Sequence, residues 1–239
     1  MPATMREDLE TLRTIQNHDQ QARSLQAMIS SCEAQIRELQ QALAAEVQRL
    51  EQIKQKLAEL QRQSRERNAE VDDLDAQLRK YQHELDTGLI SFKEMEALRT
   101  KVTHDRERME HLEDEALALM DQAEAETQHL KQEEESLAAL KAQTAQEIQA
   151  VESQITSCRS RITEEQAARA ALVEKISSLL FERYERLARD YPDPITAIVN
   201  SSCAGCKLKL SEITISRARE GLDVVTCENC ARILYCLPS

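Results

Sequence analysis

Thr87-Gly88-Leu89-Ile90-Ser91-Phe92-Lys93-Glu94-Met95 is the stretch that decides the fold. Gly88 suits the position just past a helix C-terminus, where a left-handed residue closes the last turn. Ser91 and Glu94 have the spacing of a capping box, with Ser91 as N-cap and Glu94 at the third helical position. Ile90 and Met95 flank that box at hydrophobic-staple positions. On both sides the chain lacks helix breakers. Its glycines are Gly88, Gly205 and Gly221, and its prolines are Pro2, Pro192, Pro194 and Pro238. Residues 3–87 and 89–191 therefore read as two very long helices, folded back on each other near residue 89 with the turn at 87–91.

Working outward from the turn, apolar residues recur every three to four positions. One seam of the first helix reads Ala22, Ile29, Ile36, Leu43, Leu50, Leu57, Ser64, Val71, Leu78 and Leu85. The other reads Leu25, Cys32, Leu39, Glu46, Ile53, Leu60, Arg67, Leu74 and Tyr81. Such a heptad pattern predicts a supercoil with a partner helix. Ser64 and Arg67 interrupt it. The second run extends from Met95 and Leu98 to Cys158 and Ile162, with a stutter at Leu140, Thr144 and Ile148. Reflection about residue 89 places Leu9 opposite the region of Arg169. Helix two then runs on to about Asp190, and its apolar face there (Leu172, Ile176, Leu179, Leu180, Phe181, Tyr184, Leu187) has no partner in helix one. The same reflection puts Cys32 and Cys158 about 12 residues out of register, roughly 18 Å apart along the helices. Both then read as small buried hydrophobes.

Composition supports the helical reading and narrows the function. The chain has 239 residues, 3% aromatics, no Trp and 31% charged residues, too few large apolar groups for a globular core of that length. Net charge is −12. Residues 195–239 carry five basic and four acidic side chains, so the acidic surplus lies in the helices. An acidic surface repels nucleic acid and anionic membranes. No apolar run approaches the roughly 18 residues of a membrane span, and residues 1–10 are too charged for a signal peptide. The expectation is a cytoplasmic protein with reduced thiols and no membrane insertion.

After Pro192-Asp193-Pro194 the pattern changes. Cys203-Ala204-Gly205-Cys206 and Cys227-Glu228-Asn229-Cys230 form two C-x2-C pairs with a 20-residue gap. Two such turns bring four thiolates to one tetrahedral ion, a spacing at the edge of the usual zinc window. Iron suits the same four-sulfur cage. A redox role for one pair is disfavoured by the presence of the second and by the lack of a βαβ pattern. The reading is one structural Zn2+ per chain at Cys203, Cys206, Cys227 and Cys230. Ile195–Val199 reads as a strand, Leu208, Leu210, Ile213 and Ile215 show rough alternation, and a strand is expected at Arg232–Cys236. Cys236 is read as a strand residue rather than a fifth ligand. So small a segment needs its metal to fold.

The fold class is thus mainly α: residues 1–190 form a long antiparallel coiled-coil hairpin, and residues 191–239 a small β-rich zinc ribbon. Nothing points to an enzyme. A four-cysteine site is closed to substrate, no phosphate-binding loop exists, and His18, His83, His104, His111 and His129 all fall on the hairpin, where no pocket is expected. Two surfaces are candidates for protein binding: Leu179, Leu180, Phe181, Tyr184 and Leu187 on the overhang, which is also a candidate homodimer contact, and Leu89, Ile90 and Phe92 at the tip. Arg183, Arg186, Arg189, Lys207, Lys209, Arg217 and Arg219 are the alternative, a nucleic-acid patch, although residues 183–239 hold eight basic against seven acidic groups.

The whole layout resembles a bacterial family of coiled-coil hairpin proteins with a C-terminal four-cysteine zinc ribbon. The likeness rests on Ser91, Lys93, Glu94, Ala97 and Leu98 at the tip, Leu112-Glu113-Asp114-Glu115, Tyr184-Glu185-Arg186, and the ending Cys227-x2-Cys230-x-Arg232-Ile233-Leu234-Tyr235. Two positions depart from the pattern. Ala231 stands where glycine commonly follows the second knuckle, and Met95 where an aromatic is common. The resemblance implies an adaptor or chaperone that associates with sigma-54 and with flagellar or injectisome type III export components, linking secretion to transcription. Some members are described as nucleic-acid-binding ribbons.

Overall fold

The structure, a computed structural model, describes residues 5–88 and 90–236. Helix α1 spans Met5–Thr87 and α2 spans Phe92–Val173. They are followed by α3 (Ser178–Asp190), β1 (Ile195–Val199), β2 (Ser202–Cys203), α4 (Glu212–Glu220) and β3 (Ile233–Tyr235). The chain divides into two compact units, Arg37–Ile148 and a second made of Met1–Ile36 with Gln149–Ser239.

The unit Arg37–Ile148 is the hairpin with its turn. Gly88 adopts a left-handed φ of 66°, which a glycine reaches without the Cβ penalty. The capping box forms as the sequence requires. The Ser91 N–H donates to Glu94 Oε2 at 2.9 Å, and the Glu94 N–H donates back to Ser91 Oγ at 3.4 Å. These contacts hold the Glu94 carboxyl below its ordinary value, the Ser91 side chain contributing most. Further along, Ile53, Leu74, Leu78, Val102, Leu112, Ala116 and Leu137 are buried between the helices, as are the polar Ser64, Asp105, Glu126 and Thr144. Glu126 accepts from Lys56 Nζ at 2.7 Å, and that bond lowers its pKa.

Register differs from simple reflection. Tyr81 meets Lys101, Arg67 meets Glu115 and Lys56 meets Glu126, each four residues further along α2 than reflection about residue 89 would place it. The cause is the Cβ tilt. Side chains lean toward their own helix N-terminus, so in an antiparallel pair both partners of a contact start further along their chains. Within the other unit, Leu25, Ile29, Val151, Ile155 and Cys158 form one apolar cluster with Cys32 packed against it. The Cys32 thiol faces Gln154 Oε1 of α2 at 3.8 Å. Cys32 and Cys158 both remain free thiols.

The largest departure lies at the end of α2. It stops at Val173, and Ser177, in an extended conformation (φ −67°, ψ 139°), caps a separate helix α3 by accepting from the Leu180 N–H. The sequence carries no glycine or proline there, and the break lets α3 re-aim its apolar face. Leu180 and Tyr184 form one core with Leu9, Leu12 and Ile15 of α1, Ile176, Ile195 of β1 and Ile233 of β3, and Phe181 and Leu187 pack on its margin. The overhang's apolar face does have its partner in helix one. Tyr184 is fully buried, and its hydroxyl donates to Asp19 Oδ2 at 2.8 Å. Asp19 Oδ1 also accepts from Arg169 Nε at 2.6 Å, and Arg169 pairs in turn with Glu185. One carboxylate of α1 thus fastens α2 and α3. The first strand is held similarly: the Ile195 N–H donates to the buried Gln16 Oε1 at 2.9 Å.

The C-terminal sheet has the order β2-β1-β3, with β1 antiparallel to β2 and parallel to β3. The segment is less β-rich than its sequence pattern implies. Of the residues that alternate in the sequence, Leu208 and Leu210 precede α4 while Ile213 and Ile215 lie within it; its Ser211 N-cap accepts from the Thr214 N–H and its C-cap is Gly221 at φ 64°. Arg6 of α1 donates to the carbonyls of Arg219 and Glu220 at 3.0 and 3.2 Å, satisfying the end of α4.

Candidate metal centre

The two knuckles are built alike. Asn200 and Ser201, both at positive φ (51° and 57°), form the two-residue turn joining β1 to β2, as a hairpin with right-handed strand twist demands. β2 ends on Cys203 and delivers the first knuckle. There the Lys207 N–H donates to the Cys203 carbonyl at 2.8 Å, with Lys207 at φ 66°. In the second knuckle the Ala231 N–H donates to the Cys227 carbonyl at 2.9 Å, with Ala231 at φ 61°. Each knuckle is thus one closed turn followed by a left-handed residue. That conformation explains why glycine is common after the second knuckle of the resembling family; this chain accepts the Cβ penalty at Ala231.

The turns converge. The Sγ atoms of Cys203, Cys206, Cys227 and Cys230 all lie within 4.8 Å of one another. Cys203 to Cys230 is 3.8 Å and Cys206 to Cys227 is 3.7 Å. A tetrahedral ion with zinc–sulfur bonds of about 2.3 Å requires sulfur–sulfur edges of about 3.8 Å, whereas a disulfide would need about 2.05 Å. The donor set fits zinc and leaves no open coordination position, so the site is structural.

Burial makes charge on these sulfurs costly. It pushes the Cys203 thiol up to about 12 and raises Cys227 as well. Burial also opposes charge on Cys230, but donors from Arg232, backbone and side chain, carry that thiol down to about 7. A dication shared by the four sulfurs removes the conflict, which is how metal binding becomes folding energy in a segment this small. Around the sulfurs pack Leu210, Ile215, Ala218, Val225 and Leu234, with Cys236 on the margin. Glu228, inside the second knuckle, accepts from Ser211 Oγ at 2.6 Å and from the Thr214 hydroxyl, tying the start of α4 to the metal loop. Its carboxyl is held below the ordinary value, chiefly by Ser211.

Residues 7–191 match the CT398-like coiled coil hairpin domain. The chain belongs to this family. Residues 202–234 match the C4-type zinc ribbon domain. Among solved structures, CT398 from Chlamydia trachomatis is similar with a TM-score of 0.86 and 22% identity, over 98% of this chain and 99% of that one. HP0958 from Helicobacter pylori gives 0.58 and 19%, over 99% and 100%. A Mycobacterium smegmatis structure gives 0.60 and 19%, over 98% and 99%. At these identities the likeness speaks to the fold. No curated protein sequence matches the chain. Hairpin and ribbon are domains of structural and binding proteins.

The other candidate residues are dispersed. Of the overhang set, Leu180 and Tyr184 are core, Phe181 and Leu187 are half-buried, and Leu179 is exposed. At the tip, Phe92 is exposed and Ile90 half-buried, while Leu89 lies outside the described residues. Arg183, Arg186, Arg189, Lys207, Lys209, Arg217 and Arg219 are all exposed, with Arg217 paired to Asp223. Asp193 and Arg232 went unnoticed as site residues in the sequence. The one available signal was the C-x2-C-x-R spacing. No helix among the described residues is long and apolar enough to cross a membrane.

Proposed function

We propose that this chain is a non-enzymatic cytoplasmic adaptor or chaperone of a bacterium. On this reading it binds protein partners, sigma-54 and type III export components, and links secretion to transcription. The partners come from the family resemblance. The observation that carries a protein-binding role is the set of large apolar side chains left exposed on α3 and on the C-terminal segment after α3 has packed inward. Leu179, Ile213 and Leu222 are 78%, 74% and 79% exposed, and Leu208 joins them. Where such exposed apolar groups adjoin, they favour burial against a partner. A homodimer through α3 loses its motive, because Leu180 and Tyr184 are already covered within the chain.

The test uses the full zinc-loaded chain, immobilised and exposed to sigma-54, to export components and to RNA and DNA fragments across a salt series. Protein binding that survives moderate salt and weakens tenfold or more in a Leu208→Ser, Ile213→Ser, Leu222→Ser variant supports the proposal. Binding to nucleic acid alone, falling steeply with salt, would replace it with the regulator reading and implicate the exposed arginines.

A further inference from the structure

Arg232 is an arginine that is 8% exposed, and it meets both the cysteine knuckles and the linker ahead of β1. Its Nε and Nη2 both donate to Asp193 Oδ1, at 3.1 and 2.8 Å. Its Cζ lies 3.9 Å from the centre of the Tyr191 ring. Against the cost of burial, its backbone and side chain lower the pKa of the Cys230 thiol. The side chain also lies across the first knuckle: a Cβ built on Gly205 would stand 2.7 Å from Arg232 Cδ and 2.9 Å from Nε. Its own carbonyl accepts from the Cys227 N–H at 2.9 Å. The residue therefore joins both knuckles to the Tyr191–Asp193 linker through which α3 enters the sheet.

Four thiolates around a zinc dication carry a net charge of −2. A buried anion of that size needs a fixed counter-charge and N–H donors aimed at sulfur. Lys207 and Lys209, the neighbouring cations in sequence, are exposed to solvent. Arg232 has five N–H donors, of which Asp193 takes two, and its side chain is confined between the Tyr191 ring and Gly205. We propose that Arg232 is the positioning residue of the four-cysteine centre: it neutralises and orients the Cys230 thiolate, and through Asp193 it couples metal binding to the setting of β1 on the linker. On this view Gly205 is glycine because the guanidinium needs the space, since its own φ is not in the left-handed region.

The full chain is the material, and Arg232→Gln, Arg232→Lys and Gly205→Ala are the variants. Gly205→Ala keeps every charge and donor and only displaces the arginine. Zinc affinity is read by competition with a chromophoric chelator. The thiolate-to-metal charge-transfer band is read after cobalt substitution, and amide exchange of Ile195–Val199 with and without zinc. Arg232→Gln and Gly205→Ala should each weaken zinc about 10- to 100-fold, the range for groups that hold a ligand in place. Both should shift the cobalt band and make exchange at Ile195–Val199 less sensitive to zinc, with Arg232→Lys intermediate. If either Arg232→Gln or Gly205→Ala keeps wild-type zinc affinity and the wild-type cobalt band, the assignment is overturned.

Discussion

Tyr184→Phe probes how α3 is fastened. The substitution keeps the ring, so the core of Leu9, Leu12, Ile15 and Ile195 stays filled. It removes the hydroxyl that donates to Asp19 Oδ2 at 2.8 Å, leaving Asp19 with Arg169 alone. A buried hydrogen bond to a charged acceptor contributes about 1.5–3 kcal/mol. Since 1.4 kcal/mol is a tenfold change in an equilibrium, amides of α3 that exchange by local opening should lose protection about 10- to 100-fold. Hydrogen exchange read by mass spectrometry on peptides from Ser178–Asp190 is the assay, with peptides from Arg37–Ile148 as the internal control. Tyr184→Ala sets the upper end, because losing a buried aromatic costs about 3–5 kcal/mol. Unchanged α3 protection in Tyr184→Phe, or an equal loss within Arg37–Ile148, would refute the claim that this bond fastens the helix locally.

Spin labels at Glu59 and Gln122 should report roughly 10–20 Å within one chain diluted into unlabelled protein, given helix spacing of about 8–10 Å plus label length; about 90 Å would mean a continuous helix instead. Ala231→Gly should stabilise the zinc-loaded ribbon by about 0.5–1 kcal/mol, the left-handed penalty less the entropy glycine loses, read as slower release of metal to a chelator; a destabilised ribbon would contradict the backbone account. At the hairpin turn, the lowered Glu94 pKa makes its cap stabilising above the ordinary value of 4.5 and lost as pH falls through the folded value below it. Exchange protection of the first turn of α2 should therefore drop in that acid range, and Glu94→Gln, which can still cap, should flatten the dependence.

What could be read in advance was local chemistry. Gly88 and the Ser91–Glu94 pair state their own geometry, because a left-handed residue and a capping box are decided by neighbours in sequence. The four cysteines do the same through their spacing. Missed features were of two kinds. Ser177 and Ser211 are N-caps without a Glu or Gln three residues on, so the end of α2 and the start of α4 carried only half a signal, although Gly221 marked the other end of α4. The rest is tertiary. The four-residue register offset comes from side chains leaning along two helices, and the cover on Tyr184 comes from Leu12 and Ile15, far away in sequence. Arg232 reads as an ordinary basic residue until Asp193, Tyr191, Gly205 and Cys230 are seen around it.

The most direct test of the account is the metal content of the intact chain, purified without added metal and weighed under native conditions, beside its Cys227→Ser variant. One zinc per chain in the wild type is expected. In the variant, zinc should be lost and the C-terminal sheet should become protease-sensitive while far-UV helicity is nearly unchanged, since α1 and α2 keep their own seam. A folded ribbon without metal, or a variant that retains its zinc, would contradict the claim that Cys203, Cys206, Cys227 and Cys230 build this domain around one ion.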